Sequence, residues 1–202
     1  HWVEAVFYQW DRLVDEGPIY MLKIWDGISS FGGMFGAIVG YYWFTRRVKG
    51  SSMPFMDIAV NGFAVGWVFG RLGCTLAFDH PGAKSDFFLD FQLPDGARHN
   101  LGFYEFLYTV IVIMPTIWFL LKKSKSKWGP RPGMYTAILI LEYVPVRFMW
   151  DFLRAQDVRG ADVRFLGLTP GHYSAIILAA LGLWIYRASK KLPYDYLDQL
   201  RD

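Results

Sequence analysis

Charge is missing from three long stretches of this chain: Gly27 to Thr45 runs for 19 residues without it, Phe106 to Leu121 for 16 and Phe165 to Tyr186 for 22. Two further apolar runs are interrupted, one by Asp57 and Arg71, the other by Glu142, Arg147 and Asp151. A bilayer core takes ~20 residues of helix, so the pattern predicts five spanning helices, near 27–45, 54–78, 103–121, 133–154 and 170–187. The expected fold class is all-α, a polytopic integral membrane helical bundle in a single domain over 1–202. Its five-helix bundle occupies 27–187 and a cytoplasmic tail follows at 188–202. His1 to Tyr8 is apolar but too short to span, and reads as the last turns of a truncated helix; it lacks the charged start and cleavage site of a signal peptide. The rest of 1–26, with Trp10, Tyr20 and Trp25 among Asp11, Asp15, Glu16 and Asp26, suits an amphipathic arm at the outer interface.

Composition agrees: 53% of residues are hydrophobic, 19% aromatic and 19% charged, which excludes a soluble fold and disorder alike. One cysteine, Cys74, excludes a disulfide scaffold. The net charge of +3 does not point to nucleic acid, because the basic residues cluster at the ends of apolar runs instead of forming a stripe. Those clusters give an orientation. Arg46, Arg47 and Lys49, then Lys122, Lys123, Lys125, Lys127 and Arg131, then Arg187, Lys190, Lys191 and Arg201 mark one side. The opposite connections hold Arg12, Lys23, Lys84, Arg98, Arg159 and Arg164. Twelve against six puts the first side, with the tail, in the cytoplasm. The polar loops 79–102 and 155–169 then face outward.

An arginine near the middle of a span costs roughly 2.5–3.5 kcal/mol on insertion scales, so each needs a partner, water or a ligand. Arg71 and Arg147 are each about two turns from the outer ends of their helices. Tyr143 and Asp151 lie four residues either side of Arg147 and share its helical face. With Arg154, His99 and Glu105 near the same level, the two guanidiniums form a receptor for phosphate, and a phospholipid headgroup is the phosphate most available there. The alternative is structural: Asp151 neutralises Arg147, Glu105 or Asp57 neutralises Arg71, and the ion pairs hold the bundle without a ligand. Spacing reads Gly32, Gly33, Gly36 and Gly40 first as close helix packing, Cys74 as a packing residue, and His172 as a cap of the last helix.

The run Gly70-Arg71-Leu72-Gly73-Cys74-Thr75-Leu76-Ala77-Phe78-Asp79-His80-Pro81-Gly82 resembles the signature of the prolipoprotein diacylglyceryl transferase family. Further matches follow in the family's order: Trp25-Asp26-Gly27 leading to Phe31-Gly32-Gly33-Met34-Phe35-Gly36, His99 with Tyr104-Glu105, Tyr143 with Arg147 and Asp151, and Gly171-His172. The resemblance covers about residues 5 to 190. It implies a multi-pass enzyme of the bacterial inner membrane, with seven helices in the whole family fold. The implied reaction moves the diacylglyceryl group of phosphatidylglycerol to the lipobox cysteine of a signal-peptide-bearing prolipoprotein and releases glycerol 1-phosphate. The implied partners are these two substrates and membrane lipids, with no metal or soluble cofactor.

Carried over by position, Arg71 and Arg147 bind the phosphoglycerol and leaving group, Tyr143 orients it, and Asp151 holds Arg147. Asp79 stands for the family's usual Glu and Gly82 for its closing Gly; Tyr104, Glu105, Arg154, Gly32 and Gly33 complete the substrate-binding set. Three positions depart from the family. Its usual His before the paired glycines is Phe31, its Asn is Cys74, and its His-Pro-Ser-Gln-Leu-Tyr-Glu run is His99-Asn100-Leu101-Gly102-Phe103-Tyr104-Glu105. Phenylalanine takes no proton, so the base falls to His99, ahead of His80. Phe31 and Cys74 also leave open a catalytically silent relative that binds phospholipid or lipoprotein precursors. An active enzyme should bring Arg71, His99 and Arg147 to one outward cavity.

Overall fold

A computed structural model describes residues 1–7, 10–25, 30–47, 51–124, 131–158, 161 and 164–192. The chain forms two compact units, His1–Ser52 and Met53–Asp202. In the first, α1 (Trp2–Phe7) and α2 (Trp10–Glu16) precede a 3-10 turn at Gly17–Leu22, which Gly17 opens at φ +72° and Pro18 continues. His1 Nε2 meets Tyr20 O at 2.9 Å and Trp2 Nε1 donates to Met21 O at 2.9 Å, folding the arm back on α1. Then comes α3 (Ser30–Thr45). Close packing through its glycines is not what the structure shows: among the described residues no atom lies within 4 Å of a Cβ built on Gly33, Gly36 or Gly40. Of Phe31 and Gly32 only the helical backbone is described, and Asp26 and Gly27 lie outside the described residues.

The second unit begins with α4 (Met53–Ala77). A continuous helix is built from α5 (Leu101–Tyr108), a π turn at Thr109–Ile113 and α6 (Met114–Ser124). The widened turn precedes Pro115, whose missing N–H and bulky ring cannot join a regular ladder. The bundle closes with α7 (Met134–Asp151) and α8 (Pro170–Ser189). Helices therefore stand at all five expected places, and two, Met53–Ala77 and Leu101–Lys123, are long and apolar enough to cross a membrane. Most of the tail beyond α8 lies outside the described residues.

Ala64, Ile113, Ile117 and Leu139 form a core between α4, the α5–α6 helix and α7, with Tyr108 and Tyr143 packed against it. Asp57 of α4 caps α7 from outside, accepting from Gly133 N (2.7 Å), Thr136 N (2.9 Å) and Thr136 Oγ1 (2.8 Å). A carboxylate there satisfies orphan donors and meets the positive end of the helix dipole. Asp57 thus serves α7 and does not pair with Arg71.

The all-α expectation needs one correction. The polar loop after α4 folds into a three-stranded antiparallel sheet, β1 (Pro81–Lys84), β2 (Phe91–Leu93) and β3 (Gly96–Asn100), in the order β1-β3-β2. Leu93 pairs with Gly96 across a two-residue turn, where Gly96 takes φ +121°. The pattern escaped the sequence because the buried positions of β3 are Arg98 and Asn100, polar where a strand usually shows apolar residues. The segment after α7 joins the same edge: Ala83 N donates to Leu153 O at 2.7 Å and Ala155 N to Pro81 O at 3.2 Å. Arg98 then ties β3 to Asp157 and to Gly82 O. The sheet so fastens one end of α4, α5 and α7 together, the end that carries Arg71, Glu105 and Asp151.

Candidate active site

Arg71 sits near the sheet end of α4, its guanidinium 4.2 Å from the centre of the Trp67 ring and its Nε 2.9 Å from Glu105 Oε2. That Nε–H is not aligned for a hydrogen bond with the carboxylate. Glu105 is placed by the start of α5. Asn100 caps this helix, accepting from Phe103 N at 3.0 Å while its amide donates to Thr75 O at 3.0 Å, so the same side chain locks α5 to α4. Gly102 permits the contact, since a Cβ there would lie 3.0 Å from the carbonyl carbon of Cys74.

Glu105 is 2% exposed and is shared. Tyr143 OH donates to its Oε2 at 2.8 Å, and Arg147 Nη1 stands 3.8 Å from its Oε1. Arg147 also pairs with Asp151 Oδ1 at 2.7 Å, one helical turn on, and Arg154 Nε approaches the same oxygen at 3.2 Å. Asp151 is held from behind by α8: Thr169 Oγ1 donates to Oδ2, and His172 Nδ1 lies 3.5 Å away. Thr169 N donates to His172 Nδ1 at 3.1 Å, so this ring accepts at Nδ1 and completes the capping box of α8. A Cβ on Gly171 would run into the Asp151 carboxylate. The cluster joins α4, α5, α7 and α8 through three guanidiniums and two buried carboxylates, an excess of one positive charge. Buried charge of this kind is held only when paired and hydrogen-bonded.

His99 lies elsewhere. Its Nδ1 is 2.8 Å from Asp90 Oδ1 and 2.8 Å from Tyr104 OH, and Tyr104 OH donates to Asp90 at 3.1 Å. His99 and Tyr104 line a cavity of about 520 Å³ whose other walls are Phe87, Leu89, Leu107, Tyr108, Ile111, Val112, Trp150 and Leu153. Arg71 and Arg147 do not line it. The expected single cavity is therefore two neighbouring clusters, for a simple reason. Tyr104 and Glu105 are successive on α5, about 100° apart around its axis, and one faces the His99 cavity while the other faces the arginines.

With this geometry in view, the relatives of the chain can be placed. The profile of the family described as prolipoprotein diacylglyceryl transferase matches residues 2–188. The chain belongs to the prolipoprotein diacylglyceryl transferase family. Among similar proteins is the phosphatidylglycerol–prolipoprotein diacylglyceryl transferase of Chromohalobacter salexigens, 27% identical over 95% of this chain and 71% of that protein. Those of Marinomonas sp. (26% identical; 93% of this chain, 69% of that one) and Ehrlichia canis (27%; 92% and 72%) carry the same name.

Of the candidate site residues, Arg71, Glu105, Tyr143, Arg147, Asp151 and Arg154 are in one cluster, and His99 with Tyr104 in the other. At Phe78 (φ +52°) the chain turns back after α4, so that Asp79, paired with His80, comes near Cys74. Ligand-type atoms of these three residues lie within 4.8 Å of one another. The guanidinium of Arg71, with Nη1 3.8 Å from Cys74 Sγ, opposes a cation there. Gly82 is a close-approach position: its Cβ would meet His99 Cβ at 2.5 Å and Leu153 O at 2.9 Å. Gly32 and Gly33 belong to the other compact unit. Sequence reasoning missed Asp90, Arg98 and Thr169. Thr169 carried a signal, standing three residues before His172 and just before Pro170 as a helix cap does; Asp90 carried none.

Proposed function

We propose that this protein transfers the diacylglyceryl group of phosphatidylglycerol to the lipobox cysteine of a bacterial prolipoprotein, releasing glycerol 1-phosphate. The observation that carries this reading is the buried cluster around Glu105 in a member of this family: its single excess positive charge matches the single negative charge of a phosphodiester. In the reaction the cysteine sulfur attacks the glycerol carbon that bears the phosphate ester. The S–C bond forms as the C–O bond breaks, and the phosphate departs with the electron pair. Arg71 and Arg147 bind the phosphoglycerol and stabilise the growing charge, since aimed donors in a site shielded from water act more strongly than in water. Tyr143 orients the phosphate, Asp151 holds Arg147, and Glu105 keeps the two guanidiniums apart until a phosphate competes for them. His99, in the neighbouring cavity that Tyr104 faces, is the group assigned the thiol proton; Asp79, Gly82, Tyr104 and Arg154 complete the substrate-binding set, and Gly32 and Gly33 belong to it by their match to the family's motif.

The protein works as a multi-pass enzyme of the inner membrane, with five helices spanning at the positions of α3, α4, α5–α6, α7 and α8. Apolar side chains such as Ile58, Phe69, Leu76, Val110, Met149 and Ile177 point out from α4, α5–α6, α7 and α8, as lipid-facing residues do. The test is to express the protein in membranes depleted of the native transferase and follow a lipobox peptide by mass. A gain of one diacylglyceryl group is expected; its absence in correctly inserted protein would overturn the reading. Arg147→Ala should lower the rate by roughly 10²–10³-fold, the cost of removing one donor to a developing oxyanion. An unchanged rate would show that the phosphate is held elsewhere.

A further inference from the structure

We infer that Asp90 is a positioning residue that holds His99 in the Nδ1–H form, leaving Nε2 as the nitrogen that accepts the thiol proton. This deepens the reading of His99 as the base and rests on it.

A carboxylate only accepts hydrogen bonds. Asp90 Oδ1 lies 2.8 Å from His99 Nδ1, so a bare nitrogen there would set two lone pairs against each other. Tyr104 has one hydroxyl proton and gives it to Asp90, so its oxygen can only accept from Nδ1, 2.8 Å away. The Tyr104 contact is the hydrogen bond and requires the hydrogen on Nδ1; the Asp90 carboxylate beside the same nitrogen favours it there by its charge. The other nitrogen is then basic, on a ring that lines an apolar cavity suited to the hydrophobic residues around a lipobox thiol.

Asp90 is itself fixed. Its side chain is 2% exposed and its Oδ2 accepts from Phe87 N at 2.9 Å, in a tight turn after β1. Burial works to raise its carboxyl pKa, but hydrogen bonds from Ser85, Phe87 N–H and Tyr104 outweigh it, so the group stays ionised below the usual carboxylate range. Among the described residues, the titratable groups lining the cavity with His99 are Tyr104 and Tyr108, and Asp90 of this loop lies at the Nδ1 of His99. Gly82 of β1 approaches His99 closely, and Trp150 of α7 walls the cavity.

The experiment combines 15N NMR of the histidines in the detergent-solubilised protein with steady-state kinetics of peptide modification. The His99 signal is assigned by its loss in His99→Gln. In the wild type Nδ1 should be the protonated nitrogen of the neutral ring, and in Tyr104→Phe it should remain so because the Asp90 carboxylate still lies beside it. Asp90→Asn should populate the form protonated at Nε2 and lower kcat by roughly 10-fold or more with little change in KM, and Asp90→Glu should restore both the wild-type form and part of the rate. A neutral wild-type His99 protonated at Nε2, or an unchanged ring form and kcat in Asp90→Asn, would overturn the inference. Full activity in His99→Gln would instead overturn the reading of His99 as the base, while the NMR result still decides what Asp90 does to the ring.

Discussion

Two residues, Arg98 and Gly171, show how single positions brace the site and the sheet beside it. Arg98 spans three segments: Nε and Nη2 reach Asp95 at 3.0 and 2.6 Å, while Nη1 and Nη2 reach Asp157 at 2.9 and 2.6 Å. The guanidinium holds the Asp157 carboxyl down to about 2 and lowers that of Asp95 as well. Carboxyls lowered on folding stabilise the protein above their unfolded value of 3.8, and that contribution fades as pH falls toward the folded value. Arg98→Gln should therefore lower Tm at pH 7, with the gap to wild type narrowing toward pH 3; a gap independent of pH would mean the fork acts by packing alone. The second residue is Gly171. Alanine in its place should favour the helix by about 0.5–1 kcal/mol, but the new Cβ collides with the Asp151 carboxylate, and overpacking costs about 1–3 kcal/mol. Collision should win: Gly171→Ala is expected to lower both Tm and the transfer rate, because Asp151 cannot keep its place beside Arg147. A melting temperature at or above wild type would show that the carboxylate has room to move.

At the level of elements, two glycine crossings look alike in sequence and differ in what they face. A Cβ on Gly102 would press on the backbone of Cys74 and Thr75 at 3.0–3.1 Å, whereas one on Gly182 meets the side-chain ends of Ile140 and Leu141 at 2.9–3.1 Å. Methyl groups can rotate aside, but backbone moves only if α4 separates from α5. Gly102→Ala should thus cost more stability than Gly182→Ala, and should also disturb the Arg71–Glu105 pair; thermal melting and peptide modification of both variants check the order. The same contrast explains what was legible beforehand. Charge-free runs and buried charges marked the helices to within a few residues, α7 at Met134–Asp151 against 133–154, for instance. Arg147 and Asp151 announced themselves by their four-residue spacing. Hidden were the contacts that only the fold creates. β3 buries Arg98 and Asn100 instead of apolar residues, Asp90 reaches His99 through the turn after β1, and among the described residues no atom lies within 4 Å of a Cβ built on Gly33, Gly36 or Gly40, which looked like packing positions. Periodicity reports which face is apolar, and falls silent where burial is secured by charge.

For the whole molecule, the remaining issue is which way it sits in the membrane. Several helix ends repeat one arrangement: Arg46 over Tyr42 and Arg47 over Trp43 on α3, Lys122 over Trp118 and Lys123 over Phe119 on α6, and Lys190 over Tyr186 at the end of α8. In each the cation lies four residues beyond the ring, the spacing that an interfacial aromatic with a charge at headgroup level needs. An anionic cytoplasmic surface attracts each such charge by about 1 kcal/mol, and the twelve basic residues of these segments face only six on the opposite connections. The proposed orientation therefore has the sheet, the arginine cluster and the His99 cavity toward the outer leaflet, where a translocated lipobox thiol can reach them. Cys74 is the only cysteine, which makes the test clean. In a Cys74→Ser background, Lys84→Cys on β1 and Lys122→Cys at the end of α6 place one thiol on each side. In intact spheroplasts a membrane-impermeant maleimide should label Lys84→Cys at once, and Lys122→Cys only after the membrane is opened. Labelling in the reverse order would place the site in the cytoplasm, before the prolipoprotein crosses, and would remove the topological basis for the reaction.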